Sequence, residues 1–235
     1  MKELLKSNKG FYKNIARYQR IDALLAIGLF CIICLLYATT AILETKYPVI
    51  KESSIFIGCG LNILMIVVTI LFIKIRRDSF SSIGINSGKW KRSCLIGLIL
   101  AVLFFYTNCL SHVIDGADFV GIKDIFKFAV YYLIVALGEE IVFRGYIGTR
   151  LYGFIKNQYL VIIINGILFV LMHFPYRMIV YGMTISDLTI SNMGWIIDLF
   201  ITHIVLTFIY LKTNSLYGSI ISHWMSNLAY NLVLR

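Results

Sequence analysis

Apolar residues fill this chain in seven long runs, at about 21–43, 55–73, 94–114, 125–153, 158–174, 195–211 and 216–234, and polar residues collect in the short stretches between them. Most of these runs approach the ~20 residues that carry a helix across a bilayer. The pattern predicts an all-α fold, a polytopic transmembrane helical bundle of about seven spans and at most eight. The chain's two prolines, Pro48 and Pro175, each fall at the end of a run, where a helix should stop. The first run is too long for the core of a signal peptide and no cleavage site follows it, so it reads as an uncleaved anchor. With no internal repeat or low-complexity linker, residues 21–235 form one expected membrane domain behind a basic segment, 1–20.

Composition agrees, at 59% hydrophobic and 14% charged, which excludes an ordinary soluble domain. The formal net charge of +10 is unevenly placed. Lys2, Lys6, Lys9, Lys13, Arg17 and Arg20 face one acid, Glu3, in the first segment. Lys74, Arg76, Arg77, Lys89, Lys91 and Arg92 follow one helical hairpin later, whereas the stretch 44–54 is balanced and 115–124 is acidic. Loops rich in Lys and Arg stay in the cytoplasm. The expected localisation is a multi-pass cell-membrane protein of bacterial type with a cytoplasmic N-terminus. The positive charge then serves topology and anionic lipid headgroups, so the lipid bilayer is a partner and nucleic acid is not. Cys31, Cys34, Cys59, Cys94 and Cys109 sit in or at the ends of apolar runs and read as small packing residues. The Cys31-x-x-Cys34 pair lacks the second pair that a zinc site needs.

Against this background, Gly138-Glu139-Glu140-Ile141-Val142-Phe143-Arg144 stands out. Ionisable groups at membrane depth are costly and are kept where they pair, line a wet cavity or do chemistry. Neighbouring helical residues point about 100° apart, so Glu139 and Glu140 cannot serve one cavity equally. Glu140 and Arg144 stand at i, i+4 with the acid first, the favourable order for a pair, which leaves Glu139 free to act as a base. Glu139 and His173 lie equally far in sequence on either side of Lys156, so an antiparallel hairpin turning there brings them to similar depth. Phe169 and Asn165 share the His173 face, and on the last run His223 and Asn227 repeat the i, i+4 spacing. Glu139, His173, His223 and Asn227 supply a base, a water-orienting group and two donors for a developing oxyanion, a sufficient kit for amide hydrolysis. The competing reading is a buried charge cluster that fixes helix register. His112 and His203 read as packing residues, and Asp198 as a bond to a neighbouring helix. The first three runs, nearly free of such groups, read as a packing half. The stretch 174–194 is either a lid or a re-entrant segment.

Glu139-Glu140-x-x-x-Arg144, Phe169-x-x-x-His173 and His223-x-x-x-Asn227, in this order on successive hydrophobic runs, resemble the signature of the CPBP family. That family comprises CAAX prenyl endopeptidases and the bacterial Abi and bacteriocin-processing or immunity proteins. The resemblance covers 125–227 and implies an intramembrane endopeptidase. Glu139 would be the general base, His173 its partner in activating water, His223 and Asn227 the oxyanion site, and Glu140 and Arg144 supporting residues. Its substrate would be a peptide or membrane-associated protein. It implies no required metal or cofactor, although Glu139, His173 and His223 together could bind zinc. The loop charges place the polar cluster in the middle or outer half of the membrane, an unexpected position for such an enzyme. The alternative is a non-catalytic immunity or scaffold protein that binds a peptide or membrane partner. A proton-coupled transporter ranks last, since no paired, interrupted helices are visible in two related halves.

Overall fold

The computed structural model describes residues 9–85 and 89–234. The start of the basic segment, with Lys2, Glu3 and Lys6, lies outside them. The described chain is helical from end to end and contains no named strand; one isolated bridge joins Phe119 to Val233. A short α1 (Lys9–Ile15) precedes α2 (Arg20–Lys46). Pro48 opens the single-turn α3 (Pro48–Glu52), and α4 (Ser54–Ile75) returns. Helix α5 (Trp90–Phe105) runs through a π-helical stretch into α6 (Ser111–Ile114). Helix α7 (Ile122–Glu140) passes through a second π-helical stretch, Ile141–Gly148, into α8 (Thr149–Phe154). Then come α9 (Gln158–Met172), α10 (Phe174–Val180), α11 (Met193–Thr213) and α12 (Tyr217–Tyr230).

The seven expected rods are therefore present, and five of them are helices long and apolar enough to cross a membrane. The other two depart for physical reasons. Residues 122–154 carry the buried charges Glu139, Glu140 and Arg144 through their middle. Helix α12 has 14 residues, ~21 Å at 1.5 Å per residue, and continues as extended chain. Only 28% of the apolar window of α2 is buried within the protein, so most of its apolar surface needs lipid as solvent. The chain is a multi-pass membrane protein with an all-α bundle.

The stretch 174–194 is largely helical, and its Tyr176 and Tyr181 line the cavities described below. Its first part, α10, prolongs α9 past His173, with Pro175 in the first turn, where a missing N–H costs no intrahelical bond. A π-helical turn at Asp187–Ser191 then leads into α11.

Charge pairs gather one end of the bundle. Arg76 holds Asp22 at 2.8 Å, Arg17 reaches Asp78 at 2.9 Å, and the buried Arg150 reaches Asp78 at 2.5 Å while lying over the rings of Tyr146 and Tyr18. Phe11 packs edge-on against Tyr152 and Tyr210 and seats α1 on this end. At the opposite end Tyr176 donates to Glu44 at 2.5 Å, and Val120 and Leu234 donate to backbone carbonyls of Leu232 and Asp118.

Helices α5 and α12 cross through small residues, the usual device where lipid removes the hydrophobic drive between helices. A Cβ on Gly97 would stand 2.6 Å from the Gly218 Cα, and one on Gly218 would collide with the Ser93 carbonyl. Ser93 Oγ accepts from Gly218 N at 2.9 Å, and Ser222 Oγ donates to the Gly97 carbonyl at 3.2 Å. Gly218→Ala is expected to lower the thermal midpoint in detergent, by about the 1–3 kcal/mol typical of an overpacked core. Gly28→Ala, with open space around its would-be Cβ, is expected to leave it unchanged or raise it. Equal midpoints for the two variants would refute the tight crossing.

Candidate active site

The site grows from a widening of one helix. Where α7 ends, the bonding pattern shifts to the wider π form over Ile141–Gly148, which leaves carbonyls short of their usual partners. Side chains supply them. Asn165 Nδ2 donates to the Phe143 carbonyl at 3.0 Å, and Thr149 Oγ1 donates to the Gly145 carbonyl at 2.5 Å. Gly148 leaves room for the first of these bonds, since a Cβ there would lie 3.2 Å from Asn165 Nδ2. Asn165, placed on the His173 face by sequence, thus braces the π stretch and does not line the cavities.

The two glutamates divide as their angular offset requires. Glu140 is fully buried; its Oε1 accepts from Arg144 Nη1 at 2.8 Å and from His223 Nδ1 at 2.8 Å. The Arg144 guanidinium also lies 4.6 Å over the Phe169 ring, a favourable seat for a desolvated cation. One carboxylate therefore ties the π stretch to α12, and the ion pair expected between Glu140 and Arg144 exists with His223 as a third member. Glu139 turns into open space, its Oε2 3.7 Å from His223 Nε2. Gly138 lets α4 approach beside it, since a Cβ there would meet Asn62 Oδ1 at 2.8 Å.

Both histidines have assignable tautomers. His173 Nδ1 stands 2.9 Å from the Phe169 carbonyl, which can only accept, so Nδ1 carries the proton and neutral His173 keeps a bare Nε2. The same logic puts a proton on His223 Nδ1, facing the Glu140 carboxylate. The ring of His173 also meets Trp195 edge-on at 5.8 Å.

Glu139 and His173 stand where two cavities meet. One, of about 340 Å³, lies between α2, α4, α7 and α10, with Tyr37, Asn62 and Tyr131 in its wall. The other, of about 590 Å³, lies between α7, α10, α11 and α12 and contains Asn227, Arg177 and Trp195. Arg177 stacks 3.8 Å over the Trp195 ring. A third cavity of about 390 Å³, walled by Glu44, Lys51, Ser54 and Tyr181, shares Glu44 and Tyr176 with the first. Glu139, His173 and Asn227 thus share one cavity, with His223 packed behind Glu139. His203 is buried against Phe169 and bonded to Thr207, a packing residue as expected.

Residues 121–229, just under half of the chain, match the family described as Type II CAAX prenyl endopeptidase Rce1-like. This stretch is similar to an Rce1-like domain. No curated protein matches the chain, and no solved structure does. The matched stretch runs from the start of α7 almost to the end of α12 and contains all seven motif residues. Part of the cleft falls outside it. Tyr37 and Glu44 of α2 and Ser54, Gly58 and Asn62 of α4 line the first cavity, so the expected packing half also builds the cleft wall. Sequence gave no signal for them, because a Tyr or Ser inside an apolar run looks the same whether it faces lipid or a cavity. Among the described residues, no group of three or more His, Cys, Asp and Glu side chains is arranged to hold a metal ion.

Arg144→Ala would leave the Glu140 carboxylate buried with His223 as its one remaining partner of the pair. Removing one member of a buried ion pair costs about 3–5 kcal/mol. The variant is expected to lose abundance and melt well below wild type, whereas Glu139→Gln, altered at the cavity wall, should retain both. Equal abundance and melting for Arg144→Ala and wild type would refute this division.

Proposed function

We propose that the protein is an endopeptidase that hydrolyses peptide bonds in membrane-associated chains with a water activated by Glu139. The observation that carries this reading is the meeting of two cavities at Glu139 and His173, inside the domain whose family is one of proteases. Water between these groups finds two acceptors, a Glu139 carboxylate oxygen and the bare Nε2 of His173. Held by both, its oxygen presents a lone pair to a carbonyl carbon lying along the cleft, the near-attack placement that lowers the entropic part of the barrier. Glu139 takes one water proton as the C–O bond forms and the carbonyl oxygen becomes an oxyanion.

The oxyanion is then met by Asn227, whose carboxamide is a pure donor through its NH₂, and by His223. His223 serves as the second donor when its Nε2, 3.7 Å from Glu139 Oε2, carries a proton as well as Nδ1. Collapse of the tetrahedral intermediate breaks the C–N bond, and the proton held by Glu139 passes to the leaving amine. Glu140 and Arg144 act by positioning: they fix the His223 ring and touch neither water nor substrate.

The test is cleavage of a library of internally quenched peptides by purified protein in detergent or nanodiscs. Glu139→Gln and His173→Ala are expected to abolish turnover with folding intact. Asn227→Ala should lower kcat by about 10²–10³, the usual effect of losing one oxyanion donor. A chelator is expected to change nothing. Wild-type rates in Glu139→Gln would end the endopeptidase reading and leave a binding or immunity role as its replacement.

A further inference from the structure

Charge and depth together say from which side of the membrane this cleft is entered. The ion pairs Arg17–Asp78, Arg76–Asp22 and Arg150–Asp78 bring the start of α2, the end of α4 and the end of α8 to one end of the bundle. The start of α5 joins them, because Ser93 bonds to Gly218 and Ser215 at the turn between α11 and α12. This end carries Lys13, Arg20, Lys74, Arg77, Lys89, Lys91, Arg92, Lys156 and Lys212 besides the paired arginines, and its acids among the described residues are Asp22 and Asp78. The opposite end has Lys46, Lys51, Lys123, Lys127 and Arg177 against Glu44, Glu52, Asp115, Asp118, Asp124, Asp187 and Asp198. Under the rule that Lys and Arg are retained in the cytoplasm, the first end is cytoplasmic.

The cleft leads the other way. From the cavities around Glu139 and His173 it continues past Glu44 and Tyr176 into the space walled by Lys51, Ser54 and Tyr181, at the ends of α3, α4 and α10 farthest from the basic cluster. Depth agrees: on α2, Tyr37 beside Glu139 stands seven residues, ~10 Å, from Glu44 but seventeen, ~26 Å, from Arg20. On α4, Asn62 beside Gly138 stands eight residues, ~12 Å, from Ser54 but twelve, ~18 Å, from Lys74. The cavity at Glu139 therefore lies in the membrane half away from the basic end.

We propose that the active cleft opens to the non-cytoplasmic face, and that its substrate is a peptide segment that has already crossed the membrane or lies on its outer leaflet. The proposal rests on the endopeptidase reading for its substrate, but the side of entry stands independently of it. The chemistry it implies is that of an exported chain, presented to a mouth lined by tyrosines and bearing one acid, Glu44, and one base, Lys51. A cytosolic lipidated C-terminus would meet the wrong end of the molecule.

Two measurements test the side and the substrate separately. In a background with the five native cysteines replaced by serine, Lys51→Cys marks the mouth and Ser81→Cys the basic end; both wild-type residues are exposed. A membrane-impermeant maleimide added to intact cells is expected to label Lys51→Cys at once and Ser81→Cys only after permeabilisation. The reverse pattern overturns the proposal while leaving the endopeptidase reading untouched. An impermeant quenched-peptide library added outside right-side-out vesicles should give Glu139-dependent fluorescence. Signal that appears only when vesicles are opened also overturns it. Indifference of the purified enzyme to Glu139→Gln would instead sink the endopeptidase reading, with the labelling result still deciding the side.

Discussion

The carboxylate of Glu140 is the constraint on which the site depends. It is a full charge at membrane depth with no solvent exposure, and it is tolerable there because Arg144 and His223 both donate to the same oxygen. Each partner belongs to a different structural task. Arg144 sits inside the π stretch, so the bond pins a segment whose own backbone pairing is weakened by its wider turn. His223 sits on α12, so the bond joins the two helices that flank the larger cavity. Desolvation makes such a network expensive to break from either side, and this strength gives it positional authority over Glu139 one residue earlier. The direction of Glu139 is a by-product: with Glu140 locked toward α12, a rotation of about 100° turns its neighbour toward the cavities.

The π stretch makes this geometry possible at a bearable cost. A regular helix through 141–148 would have kept its carbonyls satisfied but would have set Arg144 on a different bearing. Widening the turn shifts that bearing and exposes acceptors, and Asn165, Thr149 and Arg150 supply donors to Phe143 and Gly145. These donors come from α8 and α9, so the irregular segment is held from the neighbouring helix as well as from within. The aromatic cluster of Phe143, Phe169 and the rings of His173, His203 and His223 fills the remaining space with edge-on contacts.

The chain's architecture was readable where it depends on period and length. Apolar runs, the two prolines and the loop charges give seven rods and their turns, because lipid allows few alternatives to a helix. The Glu140–Arg144 pair was readable from spacing, and so was the shared depth of Glu139 and His173. Other features depend on contacts distant in sequence. The bond from His223 to Glu140 spans 83 residues, and nothing local distinguishes it from an oxyanion role alone. Asn165 was given a face but no function, because the π stretch that takes its donor is invisible in composition. The contribution of α2 and α4 to the cleft was missed for a similar reason: Tyr37, Ser54 and Asn62 matter through what packs opposite them.

Water connects the electrostatics to access. Glu139 and Glu140 together outnumber Arg144, and a sealed apolar bundle is a costly place for a second carboxyl group without a partner. Glu139 instead borders two cavities with polar walls of tyrosine, asparagine and histidine, which offer hydration in place of a counter-ion. Hydration requires a continuous path to bulk water, and the path that exists runs past Glu44 and Tyr176 toward the end away from the basic cluster. Hydration of Glu139 and access to it from outside the bundle are therefore served by one set of connected cavities. Moving that opening to the basic end would need a second route past the packed rings of Phe11, Tyr152 and Tyr210 and the buried Arg150.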